Sequence, residues 1–193
     1  ARRDRGAGTV RLAASTAAVN GFLARTLPAF TRAHPDILVH VSDLDTAAPA
    51  IESGIGDADL VACREPDVLP EGWRFRALAD DRYAIVTSPG APLARRRRVR
   101  LAELGGERWL LPPMDSAAHR TFDTLVERLQ WQPRLVQVVT RNLSLTWAML
   151  AADASLMLVP YSVVRQLVEA RQLAELRVDE PMPFTPIGLL SRE

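Results

Sequence analysis

The sequence predicts an α/β fold built as two lobes of similar size, and three observations carry that reading. Segments with two-residue apolar alternation take turns along the chain with segments of helical spacing, the order expected of βαβ units around a mostly parallel sheet flanked by helices. One pattern, strand then hydroxyl or amide cap then helix then strand, occurs from Thr9 to Ser42 and repeats from Thr46 to Ala62. The stretch Ser88 to Arg100, with two prolines, a glycine and the run Arg95-Arg96-Arg97-Arg98, is the least core-like in the chain and precedes the second set of elements.

In the first set, Val10, Leu12 and Ala14 alternate with Arg11 and Ala13 as a strand does, and Ser15-Thr16 supplies capping hydroxyls. Val19, Phe22, Leu23, Leu27 and Phe30 recur at helical spacing and predict a buried stripe on a helix reaching about His34. Pro28 lies inside that pattern and is expected to kink the helix or begin a fresh turn. Ile37 to Ser42 reads as the next strand, Thr46 as the cap of a helix over Ala47 to Ser53, and Leu60 to Ala62 as a short strand after Gly54 and Gly56. Trp73 to Leu78 and Tyr83 to Thr87 read as two further strands.

In the second set, Trp109 to Leu111 reads as strand, Ser116 to Gln130 as helix, and Arg134 to Thr140 as strand. Asn142 to Ala152 reads as helix, Leu156 to Val159 as a fully apolar strand, and Val163 to Ala170 as helix. Leu176 to Val178 and Ile187 to Leu190 close the chain as short strands. The expected division places residues 1–82 with 176–193 in a discontinuous lobe I and 83–175 in lobe II.

Composition removes several function classes. The 193 residues carry 24 basic groups, all arginine, against 23 acidic ones, a formal charge of +1 that is no broad footprint for nucleic acid. Cys63 is the single cysteine, so no internal disulfide forms and an oxidising compartment is not indicated. No window approaches the ~20 consecutive apolar residues of a membrane span. Ala1 to Gly8 is charged without a following apolar signal segment, so the expected location is the cytoplasm, with no membrane partner.

The residues also resemble a known family. Thr9-Val10-Arg11-Leu12-Ala13, then Leu27-Pro28 with Phe30 and His34-Pro35, is similar to the start of the effector-binding domain of LysR-type transcriptional regulators. Gly56 to Ala62 resembles that family's Gly-x-x-Asp-Leu-x-x strand entry, Ala91-Pro92-Leu93-Ala94 its Pro-Leu-Ala loop, and Val99 to Leu104 with Trp109 the segment after it. Ala148 to Pro160 takes the place of a glycine-containing segment, with Asp153 and Ser155 where the family usually has glycines. Aspartate is among the few residues other than glycine that visit positive φ, so the turn is expected to survive.

The resemblance implies a periplasmic-binding-protein type II fold, with a cleft between two α/β lobes for a small-molecule effector. It implies a homodimer, a tetramer in the full-length protein, and DNA contact only through an N-terminal winged helix-turn-helix that is absent from this chain. No cofactor and no metal are implied. A periplasmic-type solute-binding protein of the same architecture is the alternative; an upstream helix-turn-helix or signal peptide discriminates the two.

Helix starts after strands offer unpaired N–H groups and partial positive charge, suited to a small polar or anionic ligand. On this basis and by position in the family, Ser15, Thr16, Thr46 and Asn142 are expected to face ligand as well as to cap their helices. Arg64 and Arg141 favour an anion, whereas Asp43, Asp45 and Asp115 oppose one, which leaves a zwitterion or an uncharged polar metabolite as ligand classes. Tyr161, just after Pro160, is the candidate for one wall of the site. The ligand-binding set is therefore Ser15, Thr16, Thr46, Arg64, Asp115, Asn142 and Tyr161.

Catalysis is the competing class. A nucleophile would come from Ser15, Ser116 or Cys63 and a base from His34, His40 or His119, yet no nucleophile-elbow signature, metal-ligand spacing or glycine-rich phosphate loop surrounds any of them. No catalytic residue is expected. The Arg95 to Arg98 run reads as a solvated loop or, in an entire regulator, as a contact for DNA or a neighbouring subunit.

Overall fold

The computed structural model describes residues 8–44 and 55–193. Contacts divide the chain into two compact units, Ala1–Asp81 with Thr185–Glu193, and Arg82–Phe184.

In the first unit β1 (Gly8–Ala14) pairs in parallel with β2 (Ile37–Asp43) on one side and β3 (Leu60–Arg64) on the other. The alternation read from the sequence has its expected effect. Leu12 and Ala14 pack with Ala18, Phe22 and Ala62 on one face, while Ala13 joins Val61, Cys63 and Trp73 on the other. Ile187 to Ser191 of β9 (Pro183–Arg192) run antiparallel to β3, so the sheet is mixed. Gly188 is required there, because a Cβ on it would lie 2.0 Å from the Arg76 carbonyl oxygen.

Between β1 and β2 the chain forms α1 (Thr16–Ala18), a π-helical turn (Val19–Leu23) and α2 (Ala24–Ala33). Pro28 sits inside α2 without breaking it. In the turn before the proline, Thr26 Oγ1 donates to the Phe22 carbonyl at 3.0 Å and Arg25 to that of Gly21 at 3.1 Å. The expected buried stripe is only half realised: Phe22 and Leu23 are buried, but no residue of α2 is, and Phe30 is exposed. Helical spacing identifies an apolar stripe; it does not say what covers it.

Trp73 to Thr87 is one strand, β4, where the sequence suggested two. Ala79 to Arg82 contains no glycine or proline to interrupt pairing, and its acidic and basic side chains interrupt the hydrophobic pattern without interrupting the backbone. The Thr46 cap and the helix expected over 47–53 lie outside the described residues.

In the second unit β5 (Arg108–Trp109) pairs in parallel with β6 (Arg134–Leu135), and Trp109 bridges Leu156 in parallel. Residues 83–86 of β4 run antiparallel to β7 (Met157–Pro160), and residues 86–87 antiparallel to β8 (Ala174–Glu175). Three helices follow strand ends: α3 (Ala117–Leu129), α4 (Leu143–Ala152) and α5 (Tyr161–Glu169). The rings of Trp109, Phe122 and Trp131 cluster at centroid distances of 5.0 to 6.3 Å, and the Trp109 indole N–H donates to the Leu104 carbonyl at 3.0 Å. Gly105 makes room for Trp131, whose ring atoms would come within 2.4 Å of a Cβ there.

Four local expectations change. The strand expected over Arg134 to Thr140 pairs for two residues only; after the Val136 N–H donates to Trp109 O the chain bends at Gln137 and leaves the ladder, which alternation alone does not reveal. Leu176 and Val178 tie to β4 and to Val99 through single bridges, and the paired strand lies just before them at Ala174–Glu175. Helix α5 starts at Tyr161, directly after Pro160, two residues before the expected Val163. Asp153 has φ −142°, so the turn needs no positive φ, and its carboxylate pairs with Arg108 at 2.9 Å.

Candidate functional site

Parallel strands share one C-terminal edge, and in open α/β sheets polar groups for ligands gather there. In the first unit the edge carries Ser15 and Thr16 after β1, Leu44 after β2 and Arg64 at the end of β3. The Ser15 N–H donates to the Ala62 carbonyl at 2.9 Å, and Ser15 Oγ accepts the Ala18 N–H at 3.3 Å. Ser15 thus caps the helix while its hydroxyl proton stays available to an acceptor. Thr16 is exposed, and its hydroxyl has no partner among the described residues. Thr46 lies outside the described residues.

Arg64 is held from two directions. Its guanidinium donates to Asp81 Oδ2 at 2.6 Å and to the Thr185 carbonyl, and the Asp81 side chain is 1% exposed. The charge favouring an anion on this edge is therefore matched by a buried carboxylate. Cys63, next to it, is buried; desolvation pushes its thiol up to about 12, against the lowering effect of Arg64, and a neutral thiol is a poor nucleophile.

In the second unit the corresponding edge carries the segment after β5, the segment after β6 and the start of α5 after β7. Ser116 caps α3, its Oγ accepting the His119 N–H at 3.1 Å; Asn142 caps α4, its Oδ1 accepting the Leu145 N–H at 3.0 Å. Thr140, which sequence reasoning passed over, prepares that cap: its Oγ1 accepts the Asn142 N–H at 3.0 Å, a hydroxyl turn legible only once Asn142 is known to start a helix. The Asn142 side-chain amide N–H groups have no partner among the described residues. Asp115 and Arg141 form an ion pair, each more than half exposed, which cancels the two opposing charges read from the sequence. Tyr161 is half-buried, with the Arg82 guanidinium 4.2 Å from its ring centroid.

The structure thus brings Ser15, Thr16 and Arg64 to one edge of the first unit, and Asp115, Asn142 and Tyr161 to one edge of the second. These edges offer hydroxyl, amide and helix-terminal N–H donors with balanced charge. The nearest approach to a catalytic arrangement is Ser116 with His119 and Asp123. There the ring Nδ1 of His119 is 3.0 Å from the Pro112 carbonyl, Nε2 is 3.6 Å from Asp123, and Ser116 Oγ is bonded to backbone instead of to the ring. No helix among the described residues is long and apolar enough to cross a membrane.

The family model for the LysR substrate binding domain matches residues 3–193. No curated protein matches the chain by sequence. Among solved structures, the regulatory domain of CcmR from Synechocystis PCC6803, in complex with 2-PG, is similar with a TM-score of 0.73 at 19% identity, over 95% of this chain and 86% of that one. A putative LysR family transcriptional regulator from Pseudomonas aeruginosa gives 0.73 at 17% identity, over 100% and 67%. The BenM effector binding domain with its effector benzoate gives 0.72 at 21%, over 96% and 84%. At these identities the structures establish the shared α/β, periplasmic-binding-protein type II-like fold, and the family model, spanning nearly the whole chain, shows that it belongs to the LysR substrate binding domain family, the ligand-sensing part of LysR-type transcriptional regulators.

Proposed function

We propose that this chain senses a small polar metabolite through the hydroxyl, amide and N–H donors at its strand ends, without converting it. The carrying observation is the charge balance at those edges: Arg64 is matched by Asp81 and Arg141 by Asp115, so these charged groups meet a ligand as neutral pairs alongside the hydroxyl, amide and N–H donors. Such donors suit a ligand rich in acceptor oxygens, a hydroxy acid or another small oxygen-bearing metabolite. Relatives support the class: CcmR was solved with 2-PG, BenM with benzoate and QuiR with shikimate. Ser15, Thr16, Thr46, Arg64, Asp115, Asn142 and Tyr161 form the proposed contact set, in lobes spanning 1–82 with 176–193 and 83–175. The full regulator then works in the cytoplasm and touches DNA through its N-terminal head.

The effector biases whichever arrangement of the protein binds it better, and nothing else is needed to transmit a signal. A second copy of this chain is the proposed partner. β2 is an edge strand with Leu38 65% exposed, and beside it Val19, Leu23, Leu27, Pro28 and Val41 line an apolar groove on the uncovered α2. Sedimentation checks this: a dimer that Val41→Asp, in the groove, converts to monomer is expected, and a monomer at high concentration refutes it.

A thermal-shift screen of amino acids, aromatic acids and short organic acids tests the sensing role. A ligand at 100 times its Kd adds about 2.7 kcal/mol of stability. Ser15→Ala, Thr46→Val and Asn142→Ala are expected to weaken a hit about 5- to 10-fold each, the worth of a lost hydrogen bond. Unchanged affinity in all three overturns the contact set, and chemical conversion of the hit on incubation overturns the non-catalytic reading.

A further inference from the structure

Five arginines fall within the six residues 95–100, on the 3-10 turn Pro92–Arg95 and the bend after it. All five are exposed. Glu103 bonds two of them, Arg96 at 3.0 Å and Arg100 at 2.6 Å, while Arg95, Arg97 and Arg98 have no ion-pair partner among the described residues. The chain as a whole has a formal charge of +1, so without these five arginines the remainder is at −4. The net positive sign of the chain thus depends on this one short strip.

The strip has the chemistry of a polyanion contact. Adjacent guanidinium groups repel one another, and a partner with closely spaced negative charges relieves that repulsion. Arginine forks match phosphate oxygens with paired N–H donors. Arg95 to Arg98 occupies three residue steps, at most ~10 Å of chain, the length of three ~3.4 Å phosphate-to-phosphate steps along one DNA strand. The flanking apolar residues turn inward: Val99 is fully buried and Leu93 packs on the second unit's core. Protein–protein interfaces are built around a desolvated apolar centre, which this strip lacks, whereas phosphate contact needs none.

We propose that Arg95, Arg97 and Arg98 form a docking strip for the phosphate backbone of duplex DNA, indifferent to base sequence and independent of the effector site. In the entire regulator it holds the sensing domain against DNA near the bound site. The test uses this 193-residue chain and a fluorescent duplex of arbitrary sequence, with anisotropy read at ~50 to ~200 mM salt, the range over which such contacts lose affinity steeply. Each neutralised phosphate contributes about −0.9 to the log–log salt slope. Wild type is therefore expected to lose about 40-fold more affinity across that range than the Arg95→Ser/Arg97→Ser/Arg98→Ser variant. A charge-matched control away from the strip, Arg32→Gln/Arg76→Ser/Arg171→Asn, is expected to keep the wild-type slope. The proposal is overturned by absent duplex binding at ~50 mM salt, by equal loss in the control, or by polyglutamate competing charge for charge with the duplex, which marks an acidic protein as the partner.

Discussion

The two units each use an arginine–aspartate pair near their strand ends, and the pairs differ in kind. Arg64 and Asp81 are 19% and 1% exposed, and Arg64 also binds the Thr185 carbonyl, so the pair ties the end of β3 to residues of both β4 and β9 within the first unit. Arg141 and Asp115 are 55% and 54% exposed and join two loops of the second unit. A buried carboxylate that loses its cation is left uncompensated, while an exposed one is resolvated. The same chemistry therefore fixes a backbone in one place and leaves an adjustable surface in the other.

The largest test of this contrast is Asp81→Ala, which removes the buried carboxylate beside Arg64. Chemical denaturation is expected to show a loss of about 3 kcal/mol, and a loss no larger than that of an exposed pair would erase the distinction. Cys63, beside Arg64, reports the same burial through pH. Its thiol is raised from 9.0 to about 12 in the folded protein, so its contribution is fully present below pH 9.0 and lost as pH rises toward about 12. Stability measured from pH 8 to 11 is expected to decline more steeply in wild type than in Cys63→Ala; parallel curves would place the thiol in a wetter setting.

Smaller effects belong to the second unit. Ser155 is buried and its hydroxyl has no partner among the described residues, so Ser155→Ala is expected to raise stability in denaturation by about 1 kcal/mol. A destabilised variant would show that the hydroxyl is satisfied in solution. Arg141→Ala is expected to cost less than about 1 kcal/mol, and less still at high salt. A cost equal to that of Asp81→Ala would mean that the second pair, too, holds its loops rigidly.

What was legible in advance follows the range of the interactions. Ser15, Ser116 and Asn142 each accept an N–H three residues along the chain, so a hydroxyl or amide ahead of a helical pattern is enough to identify the cap. Arg64 reaches Asp81 and Thr185, 17 and 121 residues away, and nothing in its neighbourhood announces that it is already matched. Asp115 and Arg141 read separately as opposing charges; 26 residues apart, they meet only when β5 and β6 align. The same limit explains the uncovered stripe of α2 and the single strand β4: periodicity describes a surface and leaves its partner unspecified.

The sequence alone determined the alternation of strands and helices, the helix caps, the absence of a disulfide and the concentration of arginine at 95–98, because each depends on neighbours a few residues apart or on composition. Only the tertiary structure decided which charges cancel, that Cys63 is buried with its thiol pushed up, that Asp153 needs no left-handed turn, and which caps share an edge. Those outcomes rest on burial and on long-range pairing, where desolvation sets the energy of a charge and the chain brings together residues that periodicity cannot connect.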